Sequence, residues 1–210
     1  MTATPLVHIV DDDLSMRTAL QRLLIEGGFR TRAYGSTGEF LLEPLPDQPA
    51  CLLLDVRLPG PSGLELQAAL LRQNVEVPVI FLTGHADVAS SVRAMKAGAV
   101  DFLEKPVEPD ILFAAIRSAL ARDESRRTAR ETAERQRKRL DALNSQQREV
   151  FEGIVAGKLN KQIAHELGIS ERTVKTRRAE VMAKLGADSV AELVRQAEQL
   201  QRLSNGDGPP

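Results

Sequence analysis

Five short apolar runs punctuate the first 120 residues, at 6–10, 30–34, 51–55, 77–83 and 100–104. Amphipathic stretches follow them at 14–27, 37–43, 63–73, 87–97 and 108–121. Runs of this length, bounded by turn residues, read as strands rather than helices. Strands that alternate with helical patterns build βαβ units, which make the sheet parallel and lay helices on both of its faces. The first part of the chain is therefore expected to be α/β, with a five-stranded parallel sheet. This architecture also says where chemistry belongs, because strand ends gather along one edge of an open α/β sheet and ligands bind there.

The residues that close the runs are chemically complementary. Asp11, Asp12 and Asp13 follow the first run, Asp55 ends the third, Thr83 ends the fourth, and Lys105-Pro106 follows the fifth. Carboxylates, a hydroxyl and an ammonium on one edge suit a hard divalent cation beside a phosphoryl group. Mg²⁺ takes six oxygens and keeps some as water. Asp12 and Asp55 can each supply one oxygen, Asp11 can act directly or through water, and a backbone carbonyl just past Asp55 can add another. Lys105 offers a compact positive charge to a phosphoryl oxygen, Thr83 offers a hydroxyl, and Gly84 leaves room. Asp13 is explained more simply as the N-cap of the helix that starts at Leu14. A phosphatase that works through an aspartyl phosphate needs a second Asp two residues after the first. Here that place holds Arg57.

Past residue 120 the character changes. Residues 1–120 carry 10 Lys and Arg against 15 Asp and Glu, residues 121–143 carry 8 against 5, and residues 144–210 carry 10 against 9. The middle segment has no Gly or Pro and few apolar residues, so it reads as a solvated helix continuing from 108–121. Asn144, with Gln147 three residues on, starts a new helix as a capping box. Helices are expected near 145–156, 160–167, 171–185 and 188–200, followed by a disordered tail. Ile163, Ala164 and Leu167 form one apolar face, Gly168 ends that helix, and Ser170 caps the next, where Val174, Val181, Met182 and Leu185 face inward. Two short helices joined through such a turn are a helix-turn-helix. The second exposes Glu171, Arg172, Lys175, Thr176, Arg178 and Arg177, a composition suited to the DNA major groove. Arg172, Lys175, Arg177, Arg178 and Lys184 fall within 13 residues, opposed only by Glu180.

Composition excludes other classes. Aromatics are 3% with no Trp, which argues against stacking platforms for single-stranded nucleic acid. A single cysteine, Cys51, excludes an internal disulfide and reads as a small buried hydrophobe. No stretch reaches the roughly 20 apolar residues that cross a bilayer, and no signal pattern opens the chain, so a cytoplasmic location and no membrane partner are expected.

Asp-Asp after the first strand, Asp after the third, Thr after the fourth and Lys-Pro after the fifth resemble the pattern of response-regulator receiver domains over residues 5–121. The segment from Asn160-Lys161-Gln162-Ile163-Ala164 through Val181-Met182-Ala183-Lys184-Leu185 is similar to the LuxR-type helix-turn-helix. Together they look like the NarL/FixJ class. The resemblance implies a fold class of α/β plus all-α: a flavodoxin-like (βα)5 receiver at 1–121, a charged helical linker at 122–143, a four-helix domain at 144–203 and a tail at 204–210. It implies that Asp55 accepts a phosphoryl group from a sensor histidine kinase. Asp11 and Asp12 then hold Mg²⁺ with the carbonyl of Arg57, and Lys105-Pro106 is cis. Thr83 and Phe102 act as the switch, while Arg57 and His85 flank the phosphoryl group. Lys161, Thr173 and Lys184 join the DNA-contacting residues. Val190, Leu193, Val194 and Ala197 pair two copies, and phosphorylation also brings receivers together through the face formed by 87–97, 100–104 and 108–120. Double-stranded promoter DNA, a second copy and RNA polymerase are the implied partners. Apart from forming and losing its own aspartyl phosphate, the chain is not expected to be an enzyme. The alternative output is a helical domain that binds protein instead of DNA.

Overall fold

The computed structural model of the protein describes residues 4–45, 48–84 and 87–204, and the expected tail beyond them, like His85, lies outside the described residues. The chain divides into two compact units, Met1–Arg127 and Thr128–Pro210.

The first unit alternates strands β1 (Leu6–Val10), β2 (Arg30–Tyr34), β3 (Ala50–Asp55), β4 (Val79–Thr83) and β5 (Asp101–Glu104) with helices α1 (Leu14–Glu26), α2 (Thr37–Leu42), α3 (Gly63–Arg72), α4 (Val88–Lys96) and the start of α5 (Pro109–Asp141). The strand order is β2-β1-β3-β4-β5, and every pair is parallel. The order reverses at the β1–β3 pair, so the crevice of this sheet opens between those two strand ends. Val10 is in register with Leu54, which sets Asp11 beside Asp55.

Side chains alternate along each strand and feed two cores. Val7, Ile9, Leu53 and Ile80 pack with Leu24, Leu112 and Ile116 on one face. Val10, Leu52, Leu54 and Phe81 pack with Phe40, Leu66 and Leu70 on the other. The fourth strand begins later than the expected 77, because Pro78 has no N–H to donate to a ladder. Its carbonyl still accepts from the Leu52 N–H at 2.9 Å.

The second unit holds the remainder of α5 with α6 (Ser145–Val155), α7 (Asn160–Leu167), α8 (Glu171–Leu185) and α9 (Val190–Ser204). Its core joins Leu143, Val150, Ile154, Ile163, Val174, Val181, Leu185 and Leu193. Asn144 and Gln147 form the expected capping box, and the Ser170 hydroxyl caps α8 by accepting from the Thr173 N–H at 3.1 Å. Gly168 ends α7 with φ +64°, in the left-handed region that glycine reaches without a Cβ penalty.

The segment expected to be solvated, 121–143, is so only in part. Asp123 is 1% exposed. Its carboxylate accepts from the Ala50 N–H at 3.0 Å, from Arg126 at 2.7 Å and from Arg127 at 2.8 Å. A carboxylate can be buried at that depth because its charge is paired and its lone pairs are used. In the second unit Leu140 packs against the core.

Candidate functional site

The pocket is assembled by local devices that hold the loops after β1 and β3. Asp13 caps α1 with its carboxylate, accepting from the N–H groups of Ser15 and Met16. The Asp13 N–H donates to Asp11 Oδ1 at 2.9 Å, and Arg17 donates to the Asp11 carbonyl at 2.5 Å. After β3 the Arg57 N–H donates to Asp55 Oδ1 at 2.9 Å. The loop then closes on α3, whose N-terminus carries a capping box between Ser62 and Glu65. Gly63 sits so close that a Cβ there would lie 2.2 Å from the Asp55 carbonyl oxygen.

These devices bring Asp11, Asp12 and Asp55 together, each with a carboxylate oxygen within 4.8 Å of the others. Asp11 is buried, Asp55 half-buried and Asp12 exposed, so the cluster grades from the interior to solvent. The Lys105 ammonium donates to Asp11 Oδ2 and Asp55 Oδ2, at 2.5 Å each. Burial alone would lower the Lys105 pKa, but hydrogen bonds and charge from Asp11 and Asp55 outweigh it and raise the pKa above its ordinary value. Lys105 owes its aim to the turn after β5: its N–H donates to the Thr83 carbonyl at 2.8 Å, and the Lys105–Pro106 bond is cis. Thr83 is fully buried. Phe102 stands beside Phe81, with ring centroids 5.8 Å apart. A Cβ at Gly84 would meet nothing within 4 Å, so the space above the pocket is open there.

Among the described residues the cluster offers only carboxylate oxygens, which suit a hard divalent ion such as Mg²⁺. The one thiol, Cys51, is buried in β3, and burial followed by the nearby Asp123 charge pushes its pKa up to about 12.

The second unit carries the other set of expected residues. Lys161 on α7 and Glu171, Arg172, Lys175 and Thr176 on α8 are exposed. Among the described residues, the cationic side-chain ends of Lys161, Arg172 and Lys175 have no hydrogen-bonding or ion-pair partner. Others in the set are engaged within the unit. Arg177 donates to Gln146 at 2.7 Å and Arg178 to Asn160 at 3.0 Å. Thr173 shares a hydroxyl contact of 2.8 Å with Ser170. Lys184 donates to Gln147 Oε1 at 2.8 Å and to the Ala142 carbonyl at 3.3 Å. Of the four residues expected to pair two copies, Leu193 and Ala197 are buried in their own unit, Val194 is half-buried and Val190 is exposed.

Several residues that hold these sites were not singled out from the sequence. Ser62-Gly63-Leu64-Glu65 carries the Ser-x-x-Glu spacing of a capping box and was visible in principle. Asp123 and Arg139 gave no such signal, because both sit in a run of alternating charge.

Comparison with known proteins places both units. Residues 7–117 match the family described as "Response regulator receiver domain", and residues 141–197 match "Bacterial regulatory proteins, luxR family". Nodulation protein W of Bradyrhizobium diazoefficiens is 45% identical over 200 residues, covering 95% of this chain and 88% of that protein. The transcriptional regulatory protein FixJ of Azorhizobium caulinodans is 42% identical over 191 residues, covering 91% and 90%. Among solved structures, the response regulator StyR is 43% identical with a TM-score of 0.84, covering 94% of this chain and all of that one. No helix among the described residues is long and apolar enough to cross a membrane.

Proposed function

The chain belongs to the response regulators that join a receiver domain to a LuxR-type domain, the NarL/FixJ class, and is a phosphorylatable transcriptional regulator; from that premise we propose how its own residues carry the signal. Asp55 is the phosphoryl acceptor. Its carboxylate attacks the phosphorus of a phosphohistidine on a sensor kinase. The P–N bond breaks, its electrons return to the imidazole, which takes a proton from solvent, and an aspartyl phosphate remains. Lys105, already held at Asp55 Oδ2, passes to a phosphoryl oxygen, and the Thr83 hydroxyl donates to another. Asp11, Asp12, Asp55 and the Arg57 carbonyl would hold Mg²⁺, which when bound would supply positive charge to neutralise phosphoryl oxygens. The observation that carries this reading is the meeting of three carboxylates within 4.8 Å, from the loop after β1 and the end of β3, which the topology sets side by side. Turnover is confined to hydrolysis of the chain's own aspartyl phosphate, at a rate tuned by Arg57.

Phosphorylation adds roughly −1.5 to −2 charge at the strand ends. Thr83 turns toward it and Phe102 moves into the space behind. The neighbouring surface then pairs with a second copy through Val88, Val92, Met95 and Ile111, which are 80%, 44%, 46% and 53% exposed. In the second unit α8 enters the major groove. Arg172, Lys175 and Lys161 meet DNA with cationic ends that are unpaired among the described residues, Glu171 and Thr176 face the base edges, and Val190 and Val194 remain on the surface for a partner α9. The dimer acts on promoter DNA in the cytoplasm and there meets RNA polymerase.

A footprint on genomic promoter fragments, with and without acetyl phosphate and Mg²⁺, tests this. Wild type protects a fragment only when phosphorylated, and Asp55→Asn protects none under either condition. Equal protection by both proteins would remove Asp55 as the control point.

A further inference from the structure

A helix ends with carbonyls that have no partner in the helix, and the C-terminus carries partial negative charge, so cations collect there. Two helices of the second unit solve this for each other. At the end of α8, Gly186 turns left-handed with φ +65° and its N–H bonds back to the last turn. The carbonyl of Leu185 stays outside that arrangement, and Arg139 of α5 donates to it at 3.1 Å. At the end of α5 the carbonyl of Ala142 faces the same orphan condition, and Lys184 of α8 donates to it at 3.3 Å. Each helix thus lends a cation to the other's terminus.

The seat is shaped as well as charged. A Cβ at Gly186 would lie 2.7 Å from Arg139 Nη1, so the guanidinium occupies, with its Nη1 end, the space a side chain would take. Gln147 reinforces the join from α6: its Oε1 accepts from Lys184 at 2.8 Å while its Nε2 donates to Glu180 of α8 at 2.9 Å. Arg148 donates to the Leu140 carbonyl at 3.1 Å, taking up another carbonyl of the α5 end.

The helices joined in this way are the one that leaves the receiver and the one proposed to read DNA. α5 begins at Pro109 and runs without a break to Asp141. We propose that Arg139 and Lys184 form a reciprocal cap that couples α5 to the recognition helix, and that Arg139 is the positioning residue through which the receiver's state biases DNA binding. Lys184 then serves this join rather than a DNA phosphate. The inference rests on the proposed function, since it presupposes that phosphorylation controls DNA binding.

The test uses the full chain and the promoter fragment that phosphorylated wild type protects. Its readout is the ratio of DNA affinities with and without acetyl phosphate and Mg²⁺. Arg139→Gln keeps a polar side chain but shortens it and loses the charge and the fork. It is expected to cut the ratio by at least tenfold while aspartyl-phosphate formation stays at the wild-type level. Arg139→Lys, which can still reach the carbonyl with a cation, should recover most of the ratio. A residue that only stabilises the unit would weaken both affinities together and leave the ratio intact, and that result in Arg139→Gln overturns the proposal. Should Arg139→Gln not fold, Lys184→Gln breaks the other half of the cap and must lower the same ratio. A wild-type ratio of one removes the proposed function itself, and the coupling with it, which separates the two failures.

Discussion

The two units handle charge in opposite ways. In the receiver pocket Asp11, Asp55 and Lys105 are tied to one another at 2.5 Å and largely withdrawn from water. On α8, the helix proposed to read DNA, the side chains of Arg172 and Lys175 stand in solvent, and among the described residues nothing pairs with their cationic ends. The pocket must hold reacting oxygens in place before the phosphoryl group arrives, and preorganised charge costs no rearrangement when the group transfers. The DNA face needs the reverse. A cation already satisfied by the protein would have to give up that partner to gain a phosphate, whereas a solvated one exchanges only water and counterions.

This contrast predicts that mutations in the pocket act in an all-or-none way and mutations on the face act by degrees. The largest effect belongs to Asp55→Asn. Acetyl phosphate should label wild type, and the variant should show only background on a phosphate-affinity gel, because the amide cannot form the acyl phosphate. Labelling of the variant at the wild-type level would move the acceptor elsewhere.

Next comes Gly63→Ala. The new methyl would meet the backbone carbonyl of Asp55 at 2.2 Å, and no flexible side chain is there to yield. Overpacking typically costs about 1–3 kcal/mol, occasionally more, and the relief comes from displacing the end of β3 that carries Asp55. Denaturant unfolding should show the loss, and the fraction phosphorylated should fall with it. A variant as stable and as readily phosphorylated as wild type would mean the loop is softer than the structure shows.

A third effect sets the units apart by pH. His8 lies in β1 with its Nδ1 at 3.0 Å from the Tyr34 hydroxyl, and its Nε2 is buried with no partner among the described residues. Burial, then the Arg32 charge, against a smaller opposing pull from Glu43, lowers its pKa to about 4. The folded receiver therefore keeps His8 neutral while the unfolded chain takes up a proton below about 6.5. Stability is complete above that pH and falls as the pH drops toward 4, by about 3 kcal/mol in all. Melting followed between pH 7 and 4 should show the receiver transition falling faster than that of the second unit, and His8→Leu should flatten the difference. Parallel slopes in the two transitions would count against it.

The same contrast explains what the sequence disclosed. The strand ends were legible because a parallel sheet leaves one place for Asp11, Asp55, Thr83 and Lys105 to meet. Capping was legible at Asp13, Asn144 and Ser170, since a cap depends on residues only three apart. What escaped was contact between distant segments of similar composition. Asp123 looks like any acid in an Arg-rich helix until the Ala50 N–H is found 3.0 Å from it. Lys184 looked like its basic neighbours until Gln147 and Ala142 claimed its ammonium. Leu193 and Ala197 fit a helical stripe that serves a partner or the unit's own core equally well, and burial, not periodicity, tells them apart.

The smallest effects lie on α8 and turn on that last distinction. Arg172→Ala removes a cation, unpaired among the described residues, from the face proposed to meet DNA. One phosphate contact is worth about one unit of salt slope, and such a loss weakens binding by about 1 to 2 kcal/mol, or roughly tenfold, across sequences alike. Lys175→Ala should behave the same way if it touches a phosphate, and should relax base preference if it reaches a base edge. Lys184→Ala is the internal control. Its ammonium is held 2.8 Å from Gln147 Oε1, so its loss should leave the slope of log affinity against log salt unchanged, even where affinity itself moves. Affinities of the phosphorylated full chain measured at several salt concentrations separate the cases. A salt slope reduced as much by Lys184→Ala as by Arg172→Ala would show that partnered and free cations on this helix contribute alike. The division of labour drawn between pocket and face would then fail at its weakest point, since pairing within the protein would no longer decide which charges are available to DNA.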